Sequence, residues 1–411
     1  MAVLAPFRAL RPEAAVAHRV SSVPYDVVST GEARALAAGE PLSFLHVTRS
    51  ELELDAGADP YAAEVYDRAR ANLERLKRAA PMIADPDSTL YVYWLRMGDH
   101  EQTGVAGAFS VDEYERDRIK KHERTRRAKE DDRTRHIVTL RAQTGVVFLT
   151  YRASAALDAA VALLTAGEPL YDFVAADGVA HRVWKASPAD RDALVAGFAA
   201  VPELYIADGH HRAASAWRAR GELREGRAAH SPAPGAGSFD TFLAVAFPHD
   251  QVRILPYHRV VADFGDTSRE ALLAELERRF RFVTAPPQPE RPGCVGLFLG
   301  DRWRTLVLGE PPAGASLAER LDCERLSRQV LSPMLGIEDL RTDSRIDFVG
   351  GIRGTAELER LVGSGRAAAA FALHPVSVDE LFAVADAGEI MPPKSTWFEP
   401  KLRDGLLVQE I

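Results

Sequence analysis

The apolar positions of the chain follow two different periods. Between residues 55 and 80, apolar residues recur at helical spacing among Arg and Glu, which predicts an amphipathic helix packed on a core. These residues are Val65, Ala69, Leu73 and Leu76. Further along, short apolar runs predict strands at 88–95, 104–111, 146–151, 181–185, 204–207, 241–247, 252–255, 295–299 and 304–308. Alanine-rich or charged stretches predict helices at 153–164, 188–201, 212–220 and 269–279, the last opened by a capping box from Thr267 to Glu270.

This alternation predicts an α/β to α+β fold with a mixed sheet and flanking helices. At 411 residues the chain exceeds what one core usually supports, so more than one domain is expected. A proline-rich run, 286–293, is the predicted linker between an N-terminal region, 1–285, and a C-terminal α/β subdomain, 294–411. The Ala-, Pro- and Gly-rich run 226–237 is predicted to be a loop and is a candidate lid.

Composition narrows the class of protein. Hydrophobic residues make up 46% of the chain and charged residues 27%, as in ordinary soluble proteins. The net charge of −8 argues against nucleic acid as a partner. The two cysteines have no metal-site spacing, and no apolar run reaches membrane-spanning length. The sequence therefore predicts a cytoplasmic protein with no membrane partner, and it leaves the oligomeric state open.

One segment combines a strand end, a turn and a helix start. The apolar run 204–207 gives way to Asp208-Gly209-His210-His211-Arg212 and then to an alanine-rich stretch. Gly209 suits a tight turn, and the unpaired N–H groups of a first helical turn attract anions. The motif therefore predicts a phosphate or carboxylate site, with Asp208 as a base, a metal ligand or a helix cap. The alternative is an ordinary turn followed by a solvated face.

A charged segment, 116–141, contains eleven Lys or Arg against five Asp or Glu. Mixed charge at this density is typical of a solvated, salt-bridged helix. The functional interpretation is a clamp on polyphosphate formed by Arg124 and Arg133, with Glu123 as the carboxylate that accepts a hydroxyl proton.

Three further segments hold candidate residues. Asp26 follows a Val-Pro-Tyr run that is predicted to end a strand, and a strand edge is its structural alternative. His258 follows the predicted strand 252–255, where a surface histidine is the alternative. Lys394 and Lys401 lie among prolines and aromatics near the C-terminus, in what is otherwise a terminal strand with Trp397 in the core.

Common catalytic fingerprints are absent from the sequence. It contains no P-loop, no dinucleotide-binding glycine motif, no nucleophile elbow and no zincin helix. The usual NTPase, dehydrogenase, hydrolase and zincin interpretations are therefore removed.

In the order and spacing of these motifs the chain resembles the prokaryotic family known as domain of unknown function 1015. The resemblance rests on 23–28, 122–125 with 132–133, 205–212, 255–259 and 391–401. The chain departs from the family where a Pro-Lys pair often precedes Asp-Arg, because Ala128 to Asp131 stands there. The role of Lys129 is therefore left open.

The Asp208 to Arg212 segment also resembles the phosphate-handling motif of the ParB and sulfiredoxin superfamily, which includes the archaeal free serine kinase. This second resemblance is local and covers about residues 175–260. It implies a small mixed sheet whose motif helix holds the donor's phosphates, and free serine as the acceptor.

Together these observations predict a small-molecule kinase that uses Mg²⁺ and transfers phosphoryl from ATP, ADP or pyrophosphate to a hydroxyl, with L-serine as the first acceptor to consider. The predicted catalytic residues are Glu123, Asp208, His210 and His211. The predicted phosphate-binding residues are Gly209, Arg212, Arg124, Arg133, Lys394 and Lys401. The predicted substrate residues are Asp26 and His258.

Two alternatives belong to other classes. One is a ParB-like nucleotide-binding regulator that performs no small-molecule chemistry. The other is a metal-dependent hydrolase using Asp208, His210, His211 and His258.

Overall fold

The computed structural model describes residues 2–55, 57, 59–79, 81–228 and 238–411. Contacts group the chain into two compact units. Unit 1 comprises residues 1–121, 125–252 and 400–411, and unit 2 comprises residues 122–124 and 253–399. The predicted division into domains at residues 1–285 and 294–411 is a separate matter from these contact-based units, and it stays a prediction. Most of the candidate lid, residues 229–237, lies outside the described residues.

A large mixed sheet with flanking helices forms the centre of unit 1, which confirms the predicted fold class. In the described part of the unit it has nine strands, in the order β6-β11-β8-β12-β5-β4-β10-β9 with β1 beside β5. These strands are β1 Leu4–Ala5, β4 Tyr91–Met97, β5 His100–Ser110, β6 Ile119–Lys120, β8 Val147–Tyr151, β9 Tyr171–Val174, β10 Ala180–Lys185, β11 Leu204–Asp208 and β12 Thr241–Pro248. The β6–β11 and β8–β12 pairs are parallel, and the β8–β11 pair is antiparallel.

A smaller antiparallel sheet has the order β3-β2-β21-β7 within the described residues of unit 1. Its strands are β2 Ala9–Pro12, β3 Met82–Ala84, β7 Ala142–Gln143 and β21 Val408–Glu410. The helices of unit 1 are α1 Ala17–Val20, α2 Thr30–Ala37, α3 Leu45–Thr48, α4 Ala63–Ala79, α5 Val111–Glu115, α6 Arg127–Leu140, α7 Ala155–Thr165, α8 Pro188–Ala199 and α9 His210–Ala228. Helix α4 is the predicted amphipathic helix, and its four predicted apolar positions are all buried.

The pairing of β8 with β11 decides which segments meet at the candidate site. The two strands run antiparallel, with Asp208 opposite Phe148 after a register shift. The end of β11 therefore lies at the same edge of the sheet as the start of β8. Residues 145 and 146, which precede β8, are thus brought beside the turn that begins α9.

Unit 2 is built on an antiparallel sheet with the order β15-β17-β16-β19-β14-β18 in the residues that the structure covers. Its strands are β14 Tyr257–Val261, β15 Arg281–Val283, β16 Cys294–Leu299, β17 Arg302–Val307, β18 Ile346–Gly350 and β19 Ala369–Leu373, and β13 Arg253–Leu255 pairs separately with β20 Trp397–Glu399. Its helices are α10 Arg269–Arg279, α11 Leu317–Arg320, α12 Asp322–Leu326, α13 Ser332–Leu335, α14 Gly354–Gly363 and α15 Val378–Asp386. The hairpin predicted from two apolar runs is the antiparallel pair β16–β17.

Two local predictions are wrong. Residues 23–28 form a turn in which Val27 N–H donates to Pro24 O at 3.3 Å, so Asp26 does not follow a strand. Ser268, rather than Thr267, caps α10 by accepting from Ala271 N–H at 3.1 Å.

Across the described residues, none of the helices has the length and apolar character needed to cross a bilayer.

Gly405 should tolerate no side chain, because two effects oppose one there. Its φ is +88°, and an added Cβ would lie 2.7 Å from Cβ and Cγ of buried Phe44. We expect Gly405→Ala to lower the free energy of unfolding by about 2–5 kcal/mol, from left-handed backbone strain of about 1–2 kcal/mol plus overpacking. Urea unfolding measures this change.

Gly39→Ala is the matched control, because Gly39 has a φ of +77° with nothing within 4 Å of an added Cβ. It should show the backbone strain alone, about 1–2 kcal/mol. Equal losses in the two variants would show that contact with Phe44 does not matter.

Candidate functional site

The predicted strand, turn and helix at the motif are present in unit 1. Gly209 joins β11 to α9 with a φ of +94°, the left-handed region that favours glycine. Its N–H donates to Asp208 Oδ1 at 2.9 Å, and Asp208 Oδ2 lies 3.0 Å from Lys401 Nζ. The N–H groups of the first turn of α9 have no acceptor within the helix and carry a partial positive charge. A carboxylate paired with a lysine therefore lies at a helix N-terminus.

Arg212 is the most deeply engaged residue of the motif. It is 6% exposed, its Nη1 donates to Val146 O at 2.8 Å, and its Nη2 lies 2.6 Å from Asp26 Oδ1. Its Nε is buried and makes no hydrogen bond among the described residues. Burial opposes the charge of Arg212, but Asp26, Asp208 and Asp404 outweigh that effect and raise its pKa. Arg212 therefore stays charged, and its Nε–H group donates no hydrogen bond within the described part of the chain.

Two glycines make room for the Arg212 side chain. A Cβ on Gly145 would lie 3.2 Å from Arg212 Cδ, and a Cβ on Gly209 would lie 3.3 Å from the same atom. These approaches are tighter than most Cβ contacts, so the arginine stem passes between two backbone segments that carry no side chain.

Tyr25 lies between two arginines. Its ring centroid is 4.4 Å from Arg133 Cζ and 5.6 Å from Arg212 Cζ. Arg49 holds the turn that carries Tyr25, donating to Tyr25 O at 2.8 Å and to Val28 O at 2.9 Å. Tyr25, Arg133 and Arg212 line a small cavity of about 30 Å³. Arg133 and Arg212 therefore belong to one cluster, although 79 positions separate them in the sequence.

Arg133 is supported from within its own helix and from α4. Arg133 Nε lies 2.8 Å from Asp132 Oδ2, and Tyr66 OH donates to Asp132 Oδ1 at 2.9 Å. His136, one turn further along α6, is buried and lies 3.0 Å from Val47 O through Nε2. Burial, together with Arg133, lowers the pKa of His136 to about 3. The interpretation of 116–141 as a fully solvated helix is thus wrong for this face of α6.

The two motif histidines have different environments. His210 is buried at 7% exposure, whereas His211 is half-buried. Arg126 N–H donates to His211 Nε2 at 3.0 Å. Because Nε2 accepts this bond, the neutral ring of His211 carries its proton on Nδ1.

The C-terminal segment contributes a residue that the sequence did not single out. Asp404 is 1% exposed, its carboxyl group accepts a hydrogen bond from Val146 N–H, and its Oδ2 has no hydrogen-bond partner within the described chain. Burial raises the pKa of Asp404 to about 7, opposed by Arg212 and reinforced by Asp26. The neighbouring Arg403 is fixed by His181, whose Nε2 lies 3.2 Å from Arg403 Nε.

The remaining predicted residues lie in unit 2. His258 is fully buried in β14, so the alternative of a surface histidine is wrong. Its Nδ1 accepts from Leu373 N–H at 3.2 Å. Lys394 has a φ of +60°, and its Nζ lies 5.4 Å from the centre of the Tyr257 ring. The fully buried Arg259, which sequence reasoning passed over, donates through Nη1 to Tyr257 O at 2.8 Å and to Lys394 O at 3.0 Å.

Glu123 and Arg124 line a cleft of about 940 Å³ in unit 2. The charged residues around this cleft are Glu123, Arg124, Glu319, Glu324, Arg328, Glu338, Asp339, Arg341 and Glu389. Arg328 is paired with Glu319 at 2.7 Å. The cleft is large enough for a small metabolite and carries more acids than bases.

The structure thus gathers the predicted residues into two groups. Asp26, Arg133, Asp208, Gly209, His210, His211, Arg212 and Lys401 belong to unit 1. Glu123, Arg124, His258 and Lys394 belong to unit 2. Gly145 and Asp404 were missed because neither lies in a motif, although the consecutive charges of Arg403 and Asp404 in an apolar terminal stretch were a usable signal.

The chain belongs to the family described as Protein of unknown function (DUF1015), whose model matches residues 4–324. This confirms the resemblance stated from the motifs. The curated proteins contain no match to the chain.

Several solved structures are similar to this chain at low identity. Free serine kinase in complex with AMP is 14% identical, with a TM-score of 0.36, and the match covers 74% of this chain and 91% of that one. SbnI with C-terminal truncation from Staphylococcus aureus is 15% identical, with a TM-score of 0.38 and coverage of 74% and 87%. A conserved hypothetical protein from Pyrococcus furiosus is 15% identical, with a TM-score of 0.36 and coverage of 74% and 95%. At these values the likeness assigns neither a ligand nor an activity to this chain.

His258 should make stability depend on pH. Burial, together with Arg259, lowers the pKa of His258 to about 4, so the unfolded chain binds a proton that the folded chain excludes between about pH 6.5 and about pH 4. The contribution of neutral His258 to the free energy of unfolding is fully present above about pH 6.5, and it is lost as the pH falls from about 6.5 to about 4. We expect the unfolding free energy of the protein to fall by up to about 1.4 kcal/mol per pH unit from this group alone.

Urea unfolding at several pH values, compared between the protein and His258→Asn, isolates this contribution from those of other histidines. The variant should show a shallower pH slope. Parallel slopes would contradict a neutral, buried His258.

Proposed function

We propose that the chain is a cytoplasmic small-molecule kinase that transfers a phosphoryl group from a nucleotide or pyrophosphate to a hydroxyl group. The observation that carries the proposal is Arg212, a buried cation at the N-terminus of a long helix with its Nε hydrogen bond unmade. A guanidinium and a helix N-terminus both favour an oxyanion, and they act together at this turn.

The Asp26 carboxylate shows where an oxyanion could contact the Arg212 guanidinium. Its Oδ1 lies 2.6 Å from Nη2, and the Asp26 side chain is 34% exposed, so the pair reaches solvent. A phosphate oxygen, like this carboxylate, is a negatively charged hydrogen-bond acceptor that suits a guanidinium. A bound phosphate would therefore compete with Asp26, or share the guanidinium with it through Nε.

The transfer needs one base and no covalent intermediate. The acceptor's hydroxyl oxygen bonds to phosphorus, the bond between phosphorus and the donor's leaving oxygen breaks, and the hydroxyl proton passes to a carboxylate. Asp208 is a poor candidate because Lys401 and Gly209 N–H already engage its oxygens. Glu123, a carboxylate of the Arg-rich segment 116–141, stays the proposed base on the sequence alone.

Mg²⁺ would enter with the donor. In such reactions it is held largely by the donor's phosphates and neutralises their charge. Asp26 and Asp208 are ion-paired with Arg212 and Lys401, so they do not form an open set of metal ligands. We therefore assign neither of these two carboxylates to the metal.

The acceptor proposed for the first test is free L-serine, which would give O-phosphoserine. This choice follows from the likeness of the Asp208 to Arg212 segment to the motif of free serine kinase. The residues of the site do not by themselves select serine from other small hydroxyl compounds.

Phosphoryl transfer should be detectable directly. We expect the protein, incubated with Mg²⁺, L-serine and ATP, ADP or pyrophosphate, to form O-phosphoserine, measured by mass spectrometry beside a panel of other hydroxyl compounds. Arg212→Lys should lower kcat/KM by about 10²-fold or more, because the guanidinium fork is lost.

Arg218→Lys is the matched control on the same helix, since Arg218 pairs with Glu130 at 3.2 Å and lies outside the proposed site. It should leave kcat/KM unchanged. No product from any pair of donor and acceptor would contradict the kinase, and donor binding without product would favour the nucleotide-binding regulator.

Replacing the proposed base should affect turnover more than binding. We expect Glu123→Gln to lower kcat by about 10² to 10⁴-fold with nearly unchanged donor affinity, as for loss of a general base. Rapid kinetics and donor titration measure the two quantities. Unchanged turnover in Glu123→Gln, with loss of turnover in Asp208→Asn, would transfer the role to Asp208.

A further inference from the structure

Asp404 and Arg212 form hydrogen bonds with the backbone N–H and C=O groups of the same residue, Val146. Val146 N–H donates to the Asp404 carboxyl, and Val146 O accepts from Arg212 Nη1 at 2.8 Å. Val146 directly precedes β8 and follows Gly145, which lies against the Arg212 stem. Asp404 therefore helps to hold in place the backbone of Val146, whose carbonyl oxygen accepts the hydrogen bond from Arg212.

Both partners keep an unused polar atom although both are buried. Arg212 Nε and Asp404 Oδ2 make no hydrogen bond among the described residues, and the two side chains are respectively 6% and 1% exposed. Buried polar atoms are normally hydrogen-bonded, so two unbonded atoms in one small cluster call for an explanation.

The local charges do not balance when every group is ionised. Three carboxylates around the motif are each paired with one cation, whereas Asp404 is paired with none among the described residues, so these seven groups together carry one negative charge in excess. These groups are Asp26, Asp132, Asp208 and Asp404 with Arg133, Arg212 and Lys401. An anion brought to Arg212 would increase the excess, whereas a proton on one carboxylate would remove it.

We propose that Asp404 is a positioning residue that takes up a proton when an anion binds at Arg212. This inference rests on the anion site of the proposed function and adds how that site adjusts its charge. The groups that face Asp404 are Arg212 from α9, Asp26 from the turn before α2, and Arg133 from α6. Asp26 and Asp132 each have an arginine within 2.8 Å and Asp208 has a lysine at 3.0 Å, so Asp404 is the carboxyl best able to accept the proton.

The pKa of Asp404, raised by burial to about 7, is consistent with this role. Below that pH the group is already protonated and no proton is taken up. Above it, each bound anion brings one proton, so anion affinity should fall as the pH rises.

Sulfate is a suitable probe, because its charge is constant in this range and it cannot be transferred. We expect sulfate affinity, measured by calorimetry, to fall towards about tenfold per pH unit above about pH 7, the limit for uptake of one proton. Asp404→Asn, which imitates the protonated form, should bind sulfate at about pH 8 as tightly as the unchanged protein does at about pH 6. Its affinity should change less with pH, and any slope shared with the unchanged protein belongs to groups other than Asp404.

The other outcomes are decisive. Equal pH dependence in the two proteins would overturn the role of Asp404 while leaving the anion site intact. Uniformly weak binding by Asp404→Asn would show that the residue is only structural. No sulfate binding by either protein would overturn the anion site itself, and with it the proposed function.

A second measurement avoids the risk that Asp404→Asn does not fold. Infrared difference spectra of the unchanged protein at about pH 8 should show a protonated carboxyl band appearing when sulfate is added, with loss of carboxylate signal. A spectrum without this band, at saturating sulfate, would overturn the inference.

Discussion

The placement of one buried cation, Arg212, organises the candidate site in unit 1. Burying a guanidinium destabilises the folded protein unless opposite charges and hydrogen bonds compensate for its lost hydration. Removing one of these partners leaves a buried charge without compensation, which is strongly destabilising. Here the compensation comes from Asp26, from Val146 O and from the nearby Asp404. Because these residues come from separate parts of the chain, the site is assembled only where unit 1 is folded.

The sheet makes this arrangement possible. Antiparallel pairing of β8 with β11 brings the residues before β8 to the start of α9, so the Arg212 side chain meets Val146 without a long reach. Glycines at 145 and 209 then let the stem lie against backbone on both sides. A Cβ on either glycine would require the Arg212 side chain to move by a few tenths of an ångström, so the motif's glycine and a glycine outside it both make room for the same side chain.

Local sequence patterns were sufficient to predict most helices and strands, but not the contacts that surround Arg212. The spacing of apolar residues predicts α4 and the β16–β17 hairpin because each depends on neighbours close in sequence. The Asp26–Arg212 pair spans 186 residues, and no local period reports such a contact. The predicted strand ending at Asp26 is wrong for a related reason, since Arg49 holds residues 25–28 in a turn through bonds that apolar spacing does not reveal.

A second buried carboxylate in unit 1 shows what full compensation looks like. Asp85 is completely buried and is bonded by Arg11, Lys185 and Tyr91. Burial opposes its charge, but these hydrogen bonds prevail and lower the pKa of Asp85. Asp404 is buried to a similar degree with its Oδ2 unbonded, and its pKa moves the other way. The same unit satisfies one buried acid completely and leaves Asp404 and Arg212 each with a buried atom unbonded, and this difference is the feature on which the proposed proton uptake depends.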